Sequence, residues 1–337
     1  MKSLRQFATL AGVSPSTVSR VFSNNELVAQ DTRAHILRLA DEHGFRPSAV
    51  YRASFGGRTN SVGILLPDLR VSFFADIAAG LQQELLKADV LPVNVQSGLD
   101  DERLGIRRLI DHRVDALILN LIDEKLNHDD FGEIIRAEMP LLLLGTVEAG
   151  LKGDKVDSDD ITGGRLAGEH LIGLGHTQFG FCYYGQGHST CDRRLQGFEE
   201  ALAEAGLSLL PANIARIPIS GDETALAEEI RHILQAPQRP TAFFAATDFL
   251  ALAVYRVSFA LGLRIPEDLS VVGYADLNFA SYVTPPLTTV HQDGVEIGRL
   301  AGRLVLERLA ANTDEYRHVE VPTTLTVRRS TGPRAAG

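Results

Sequence analysis

Cysteine is scarce: 337 residues contain only Cys182 and Cys191. The two do not stand at metal-ligand spacing, and Cys182 falls in an apolar run that reads as a buried strand, so two inert thiols are expected rather than a metal site or a redox switch. Long apolar runs are missing as well. No stretch reaches the roughly 18 uninterrupted apolar residues of a membrane helix, and Met1 to Gln6 leads into no apolar signal core. The chain is therefore expected in the cytoplasm, which argues against a transport binding protein. Catalytic motifs are equally absent: no Walker loop, no Gly-x-Gly-x-x-Gly after a strand, no Gly-x-Ser-x-Gly elbow and no His-Glu-x-x-His. Gly163-Gly164 and Gly173-Leu174-Gly175 read as helix ends. No catalytic residue, cofactor or metal is expected.

What is present is the composition of a globular protein, 45% hydrophobic and 23% charged, with length for roughly two or three domains of about 100 to 200 residues. Charge is unevenly spread. Up to Arg58 eight basic residues face four acids, giving +4, so the remainder carries −14 of a net −10. A basic head on an acidic body suits a DNA-reading module joined to a domain that must not adhere to DNA.

Within that head, Leu4, Phe7, Ala8 and Ala11 recur at helical spacing, and Gly12 can end the helix at positive φ. Ser14 then serves as N-cap, with Pro15 in the first turn of a second helix. Val18, Val21 and Phe22 form its apolar stripe, leaving Pro15, Ser16, Ser19 and Arg20 facing outward. Small hydroxyls, Thr17 among them, plus one arginine suit the major groove, where Arg donates a bidentate pair to guanine. Asp31 is expected to cap a third helix carrying Ile36, Leu37, Leu39 and Ala40, which Arg46-Pro47 stops.

From Ser61 the pattern changes to short apolar runs alternating with amphipathic helices. Strands are expected at 62–66, 91–95, 115–119 and 141–144, with helices from about Phe74, Asp101 and Phe131. A second series follows Asp157 to Asp160, with strands at 179–183, 214–217, 242–245 and 271–274. Strands apolar on both faces belong to parallel sheets covered by helices. Two such series imply two doubly wound subdomains facing each other across a cleft.

The run Ala11-Gly12-Val13-Ser14 with Ser16 to Val21, then Asp31-Thr32-Arg33 and Gly44-Phe45-Arg46-Pro47, resembles the LacI/GalR transcriptional regulators. The resemblance continues in order through Arg193-Arg194-Leu195-Gln196-Gly197-Phe198, Ile265-Pro266-Glu267-Asp268-Leu269-Ser270-Val271-Val272-Gly273-Tyr274 and Thr284-Pro285-Pro286-Leu287-Thr288-Thr289-Val290. It implies a small all-α helix-turn-helix domain at 1–47, a hinge at 48–60 and an α/β domain at 61–330 before a short tail at 331–337. That α/β domain would be periplasmic-binding-protein-like, with crossovers near 157–160, 285–292 and 315–325.

The implied activity is sequence-specific DNA binding by a repressor. A homodimer would read a palindromic operator under the control of a small-molecule effector, a sugar or sugar derivative, in the cleft. The family resemblance implies DNA contacts from Ser14, Pro15, Ser16, Thr17, Ser19 and Arg20, and from hinge residues Ser48, Arg52, Ser54 and Phe55. Ser54 stands where the family has its minor-groove leucine, so either Phe55 is the wedge or the hinge bends DNA less. Effector contacts are expected from Phe73, Phe74, His188, Thr190, Arg194, Asp248 and Asp276. Phe73 and Phe74 could instead be core residues, and Asp248 a helix cap. Two departures stand beside this pocket: Ala275 where the family usually has aspartate, and Val71-Ser72 where it has Asn-Pro. The rival reading is a doubly wound sugar-processing enzyme with an accessory helical domain.

Overall fold

The computed structural model describes residues 3–22, 28–46, 58–98, 101–121, 132, 134, 139–145, 151–185, 189–217, 223–311 and 315–334. The chain opens with α1 (Leu4–Leu10), α2 (Pro15–Phe22) and α3 (Gln30–Glu42). Ser3 caps α1 by accepting from the Gln6 N–H, and the Ser14 Oγ does the same for Thr17 N–H at the start of α2. Gly12 takes φ +68° between them, a conformation that costs glycine little. Phe7, Val18, Val21, Ile36 and Phe45 are buried at the centre of the three helices, with Phe45 stacked on Phe7 at 4.1 Å between ring centroids.

Three details differ from the sequence reading. Ser19 is only 1% exposed, because α2 packs against both α1 and α3 and its buried arc is wider than one stripe. Leu37 is 44% exposed, and the buried face of α3 is formed by Ile36 and Ala40, with Leu39 partly buried beside them. That helix begins after Ala29 with no side-chain cap, and Asp31 lies in its first turn.

The body contains two six-stranded sheets of matching topology. The first comprises β1 (Ser61–Leu66), β2 (Leu91–Gln96), β3 (Ala116–Asn120), β4 (Leu141–Leu144), β5 (Asp154–Ser158) and a late strand, β11 (His318–Val321). Its order is β2-β1-β3-β4-β5-β11, and every pairing is parallel. The second comprises β6 (Phe179–Tyr184), β7 (Ile214–Ile217), β8 (Ala242–Ala245), β9 (Ser270–Ala275), β10 (Thr288–His291) and β12 (Thr324–Thr326), ordered β7-β6-β8-β9-β10-β12. Only β12 runs antiparallel to its neighbour.

The apolar runs follow from burial on both faces. Val62, Ile64, Leu66, Leu142 and Leu144 pack to one side of the first sheet, while Leu65, Leu117, Leu119, Leu141 and Leu143 pack to the other. Strand β2 departs from this pattern, since as an edge strand it leaves Leu91 60% exposed.

Helices α4 (Ser72–Lys87) and α5 (Glu102–Asp111) serve the first sheet, and α7 (Ser189–Glu204), α8 (Glu223–Gln235) and α9 (Asp248–Ala260) the second. The other two follow crossovers. After β5 the chain enters α6 (Asp160–Gly173), which packs on α7; after β10 it enters α10 (Gly294–Ala310), which packs on α4. A third crossing joins β11 to β12. The three crossings are tied together: Gln292 Nε2 donates to Ser158 Oγ at 2.7 Å, and Thr323 Oγ1 donates to the Asp159 carbonyl at 3.2 Å.

Gly163 and Gly164 lie inside α6 rather than at its end. A Cβ on Gly164 would overlap the Arg194 carbonyl oxygen, and one on Gly197 would overlap that of Ile161, so α6 and α7 approach backbone to backbone. Gly80 and Gly298 make the same close seam between α4 and α10. Gly175, at φ +85°, does follow the end of α6.

Candidate functional site

Two sites stand out, one on the three-helix head and one in the body. On the head, α2 presents Ser14 and Arg20 as exposed residues, with Pro15, Ser16 and Thr17 half-buried. The Ser14 Oγ lies 2.7 Å from Ser16 Oγ and 2.8 Å from Thr17 Oγ1. These hydroxyls stabilise the first turn, and Arg20 is the exposed cation on this helix. Ser19, expected beside it, faces the core. Ser48, Arg52, Ser54 and Phe55 lie outside the described residues.

In the body a cavity of ≈ 260 Å³ opens between the two sheets, at the carboxyl ends of their strands. This is where doubly wound folds place ligands, because loops there are free of the helix packing that fixes the strands. One wall is apolar: Phe73, Phe74 and Ile77 of α4, Leu121 after β3, Leu144 of β4 and Ile297 of α10. The Phe73 and Phe74 rings stand 5.4 Å apart at 60°. The facing wall is more polar, formed by Thr190, Cys191 and Arg194 of α7, Asp160 of α6, Tyr184 at the end of β6 and Thr247 at the start of α9.

Arg194 is the centre of that wall. Its residue is 6% exposed. Nε donates to Asp160 Oδ1 at 2.8 Å, Nη1 to the Ala246 carbonyl at 2.7 Å, and Nη2 lies 3.5 Å from Gln292 Oε1. The guanidinium carbon rests 3.7 Å above the Tyr274 ring, and the Tyr274 hydroxyl donates to the same Asp160 oxygen at 2.9 Å. Burial opposes the Arg194 charge, but the Asp160 carboxylate outweighs it and holds the guanidinium above its ordinary range. Burial in turn pushes the Asp160 carboxyl up, against the pull of Arg194 and Tyr274. The buried ion pair is thus satisfied on the protein side, and these three bonds use three of the five guanidinium N–H groups.

Of the residues expected at the effector site, Phe73, Phe74, Thr190 and Arg194 meet at this cavity, and His188 lies outside the described residues. Asp248 and Asp276 stand behind the wall. Asp248 is fully buried; its carboxylate accepts from the Leu277 N–H at 2.7 Å and from Thr289 Oγ1 at 2.6 Å, fixing the loop after β9. The cap of α9 is Thr247, which accepts from the Leu250 N–H. Asp276 is held by Arg328 Nη2 at 2.6 Å, Thr326 Oγ1 at 3.3 Å and His291 Nδ1 at 3.2 Å.

The sequence reading missed Asn120, Ser158, Tyr184 and Gln292 in the wall. Each ends or follows a parallel strand, so the position rule alone identifies them. Asp160 gave no such signal. Burial keeps both thiols protonated: that of Cys191, in the wall, is pushed up to about 11, and that of Cys182 higher still.

Comparison with known proteins finds matches to both the head and the body. Residues 3–48 match bacterial regulatory proteins of the lacI family, and residues 169–331 match a periplasmic binding protein-like domain. The ribose operon repressor of Haemophilus influenzae is 32% identical over 332 residues, covering 98% of each chain. Among solved structures, a complex of the transcriptional regulator CelR with cellobiose is 31% identical, with a TM-score of 0.72, and covers 98% of this chain and 100% of its own. The lac repressor dimer bound to operator and the anti-inducer ONPF is 26% identical, with a TM-score of 0.76, over 98% and 99%. No described helix is long and apolar enough to cross a membrane. With a helix-turn-helix head, a two-sheet body open at its strand ends and a relative matching along almost the whole chain, this protein belongs to the LacI family of DNA-binding transcriptional regulators and is not an enzyme.

Proposed function

We propose that α2 reads operator bases through Arg20, with Ser14, Pro15, Ser16 and Thr17 lying along the DNA, and that the cavity between the sheets holds the effector. The observation that carries this reading is the placement of the cavity: its walls come from both sheets, at the three tied crossings. A ligand gripping both walls favours one angle between the halves over another and transmits that preference to the head. Such coupling is worth about 1 to 3 kcal/mol in typical allosteric proteins.

The effector is a carbohydrate, and the chain represses as a homodimer on a palindrome, acting on DNA in the cytoplasm. The ribose operon repressor and the cellobiose complex support the carbohydrate, as do two neighbouring aromatics on one wall and a buried guanidinium on the other, which suit the apolar and hydroxyl faces of a sugar. The lac repressor dimer on its operator supports the pairing, and so do Phe259 and Tyr282, aromatic residues 87% and 85% exposed on the second half of the body.

Operator binding by the Arg20→Ala variant tests the head. An expected loss of about 1 to 3 kcal/mol, with relaxed base preference at one position of each half-site, marks direct readout. Equal weakening on every sequence would reassign Arg20 to the phosphate backbone.

A further inference from the structure

We infer that the cleft selects an uncharged polar ligand, and that Asp160 sets this selectivity by neutralising Arg194 from within the protein. The inference rests on reading the cleft as the effector site and adds the ligand's charge class and the residue that decides it.

Arg194 is the one cation among the described residues of the wall, and a buried guanidinium is ordinarily the group that would receive a phosphate or carboxylate. Here its Nε and its charge are already committed to Asp160 at 2.8 Å, and Tyr274 covers one face of its plane. The wall also holds Asp157, which lies 2.9 Å from His318 Nε2. Nearby, Arg193 is paired with Glu320. An anion entering the cavity would therefore meet the Asp157 carboxylate and a cation whose counter-ion, Asp160, is already in place, and would lose its hydration without gaining a free positive charge.

A neutral polyol meets different conditions. The guanidinium N–H groups left over from Asp160, Ala246 and Gln292 can donate to hydroxyl oxygens. Asn120, Ser158, Thr190 and Thr247 supply further donors and acceptors, and Phe73 and Phe74 cover an apolar ring face.

The position of the carboxylate makes the argument specific to this chain. At the end of β9, beside the cavity, stands Ala275, which brings no charge, while the counter-ion comes from the first residue of α6. Asp160 is therefore the residue whose neutralisation should invert the charge preference of the site. Asp160→Asn retains an oxygen for the Arg194 Nε–H and the Tyr274 O–H, but leaves the guanidinium without a counter-ion.

The test uses the purified full-length protein and reads binding by calorimetry and by thermal stability. Its probes are D-ribose against ribose 5-phosphate, cellobiose, and sodium sulfate against sodium chloride at matched ionic strength. The wild type should bind a neutral sugar at least tenfold more tightly than its phosphorylated counterpart and show no saturable sulfate binding by calorimetry, since sulfate also raises thermal stability without binding a site. Asp160→Asn should bind sulfate or the phosphorylated sugar at least tenfold more tightly than the wild type does, and adding Arg194→Gln should remove that gain. A wild type that prefers the anion, or takes up sulfate through Arg194, overturns the inference, as does a folded Asp160→Asn with wild-type charge preference. If Asp160→Asn does not fold, the wild-type arms still decide. A neutral sugar that binds the cleft yet leaves operator affinity unchanged would instead overturn the cleft's regulatory reading and leave the charge rule standing.

Discussion

Toward the cavity, the half built on β1 to β5 presents mainly Phe73, Phe74, Ile77, Leu121 and Leu144, whereas the half built on β6 to β10 presents Arg194, Asp160, Thr190, Tyr184 and Thr247. The two halves share strand order and the same glycine seam between paired helices. Common architecture therefore fixes where the cavity lies, and side chains at equivalent strand ends fix what it can hold. One half contributes chiefly area, the other chiefly orientation and charge, so substitutions in the two should fail differently.

The largest contrast should come from Arg194→Ala against Phe73→Ala. Removing the guanidinium strands the buried Asp160 carboxylate, a loss of about 3 to 5 kcal/mol for a broken buried pair. Phe73 is only half-buried, and its truncation should cost clearly less stability while still weakening the effector. Urea unfolding with and without a bound sugar separates the two quantities. Equal costs in the ligand-free protein would mean that the ion pair contributes no more than ordinary packing.

A second difference is in pH response. Burial pushes the Asp248 carboxyl up to about 7, with the Thr289 and Leu277 hydrogen bonds pulling the other way. An unfolded aspartate titrates near 4, so between about pH 4 and 7 the folded chain holds a proton that the unfolded chain has released. Its contribution to stability is greatest in acid and declines as pH rises to about 7, the reverse of an ion-paired carboxylate. Thermal midpoints at pH 5.5 and 7.5 should therefore fall further in the wild type than in Asp248→Asn. Parallel slopes for the two proteins would show that Asp248 is ionised throughout this range.

How much of this was readable in advance depended on whether local chemistry agreed with tertiary placement. The helix-turn-helix, the apolar strands and the cleft were legible because periodicity, capping and burial point the same way at Ser14, Val18, Leu117 and Leu142. Strand β5 was hidden because Asp-Lys-Val-Asp-Ser reads as a loop. Its carboxylates find partners far along the chain: Arg308 Nη2 donates to Asp154 at 2.9 Å, and His318 lies beside Asp157. Asp160 was hidden for the same reason, since its partners arrive from α7 and β9. Asp248 and Asp276 were expected at the ligand because strand ends usually face it, yet both support the loop behind it. Periodicity does not separate a residue in the wall from one bracing it.

The smallest effect concerns the backbone at that rim. Strand β4 and strand β9 hold equivalent places in their sheets, and the chain leaves each in the left-handed region beside the cavity. After β4 the residue is Gly145, at φ +77°; at the end of β9 it is Ala275, at φ +106°, followed by Asp276 at φ +54°. Glycine takes such angles freely, whereas a residue with a Cβ loses roughly 1 to 3 kcal/mol there unless its surroundings hold it. The brace is visible in the three side chains gripping the Asp276 carboxylate. Ala275→Gly should relieve the strain but add freedom to the unfolded chain, which costs about 0.4 to 1 kcal/mol. The expected net is a gain between about 0 and 2.5 kcal/mol in ligand-free stability, accompanied by weaker effector binding as the rim loses its preset shape. A less stable variant would show that Ala275 lies comfortably in its conformation, and that the two halves differ at this rim in residue but not in strain.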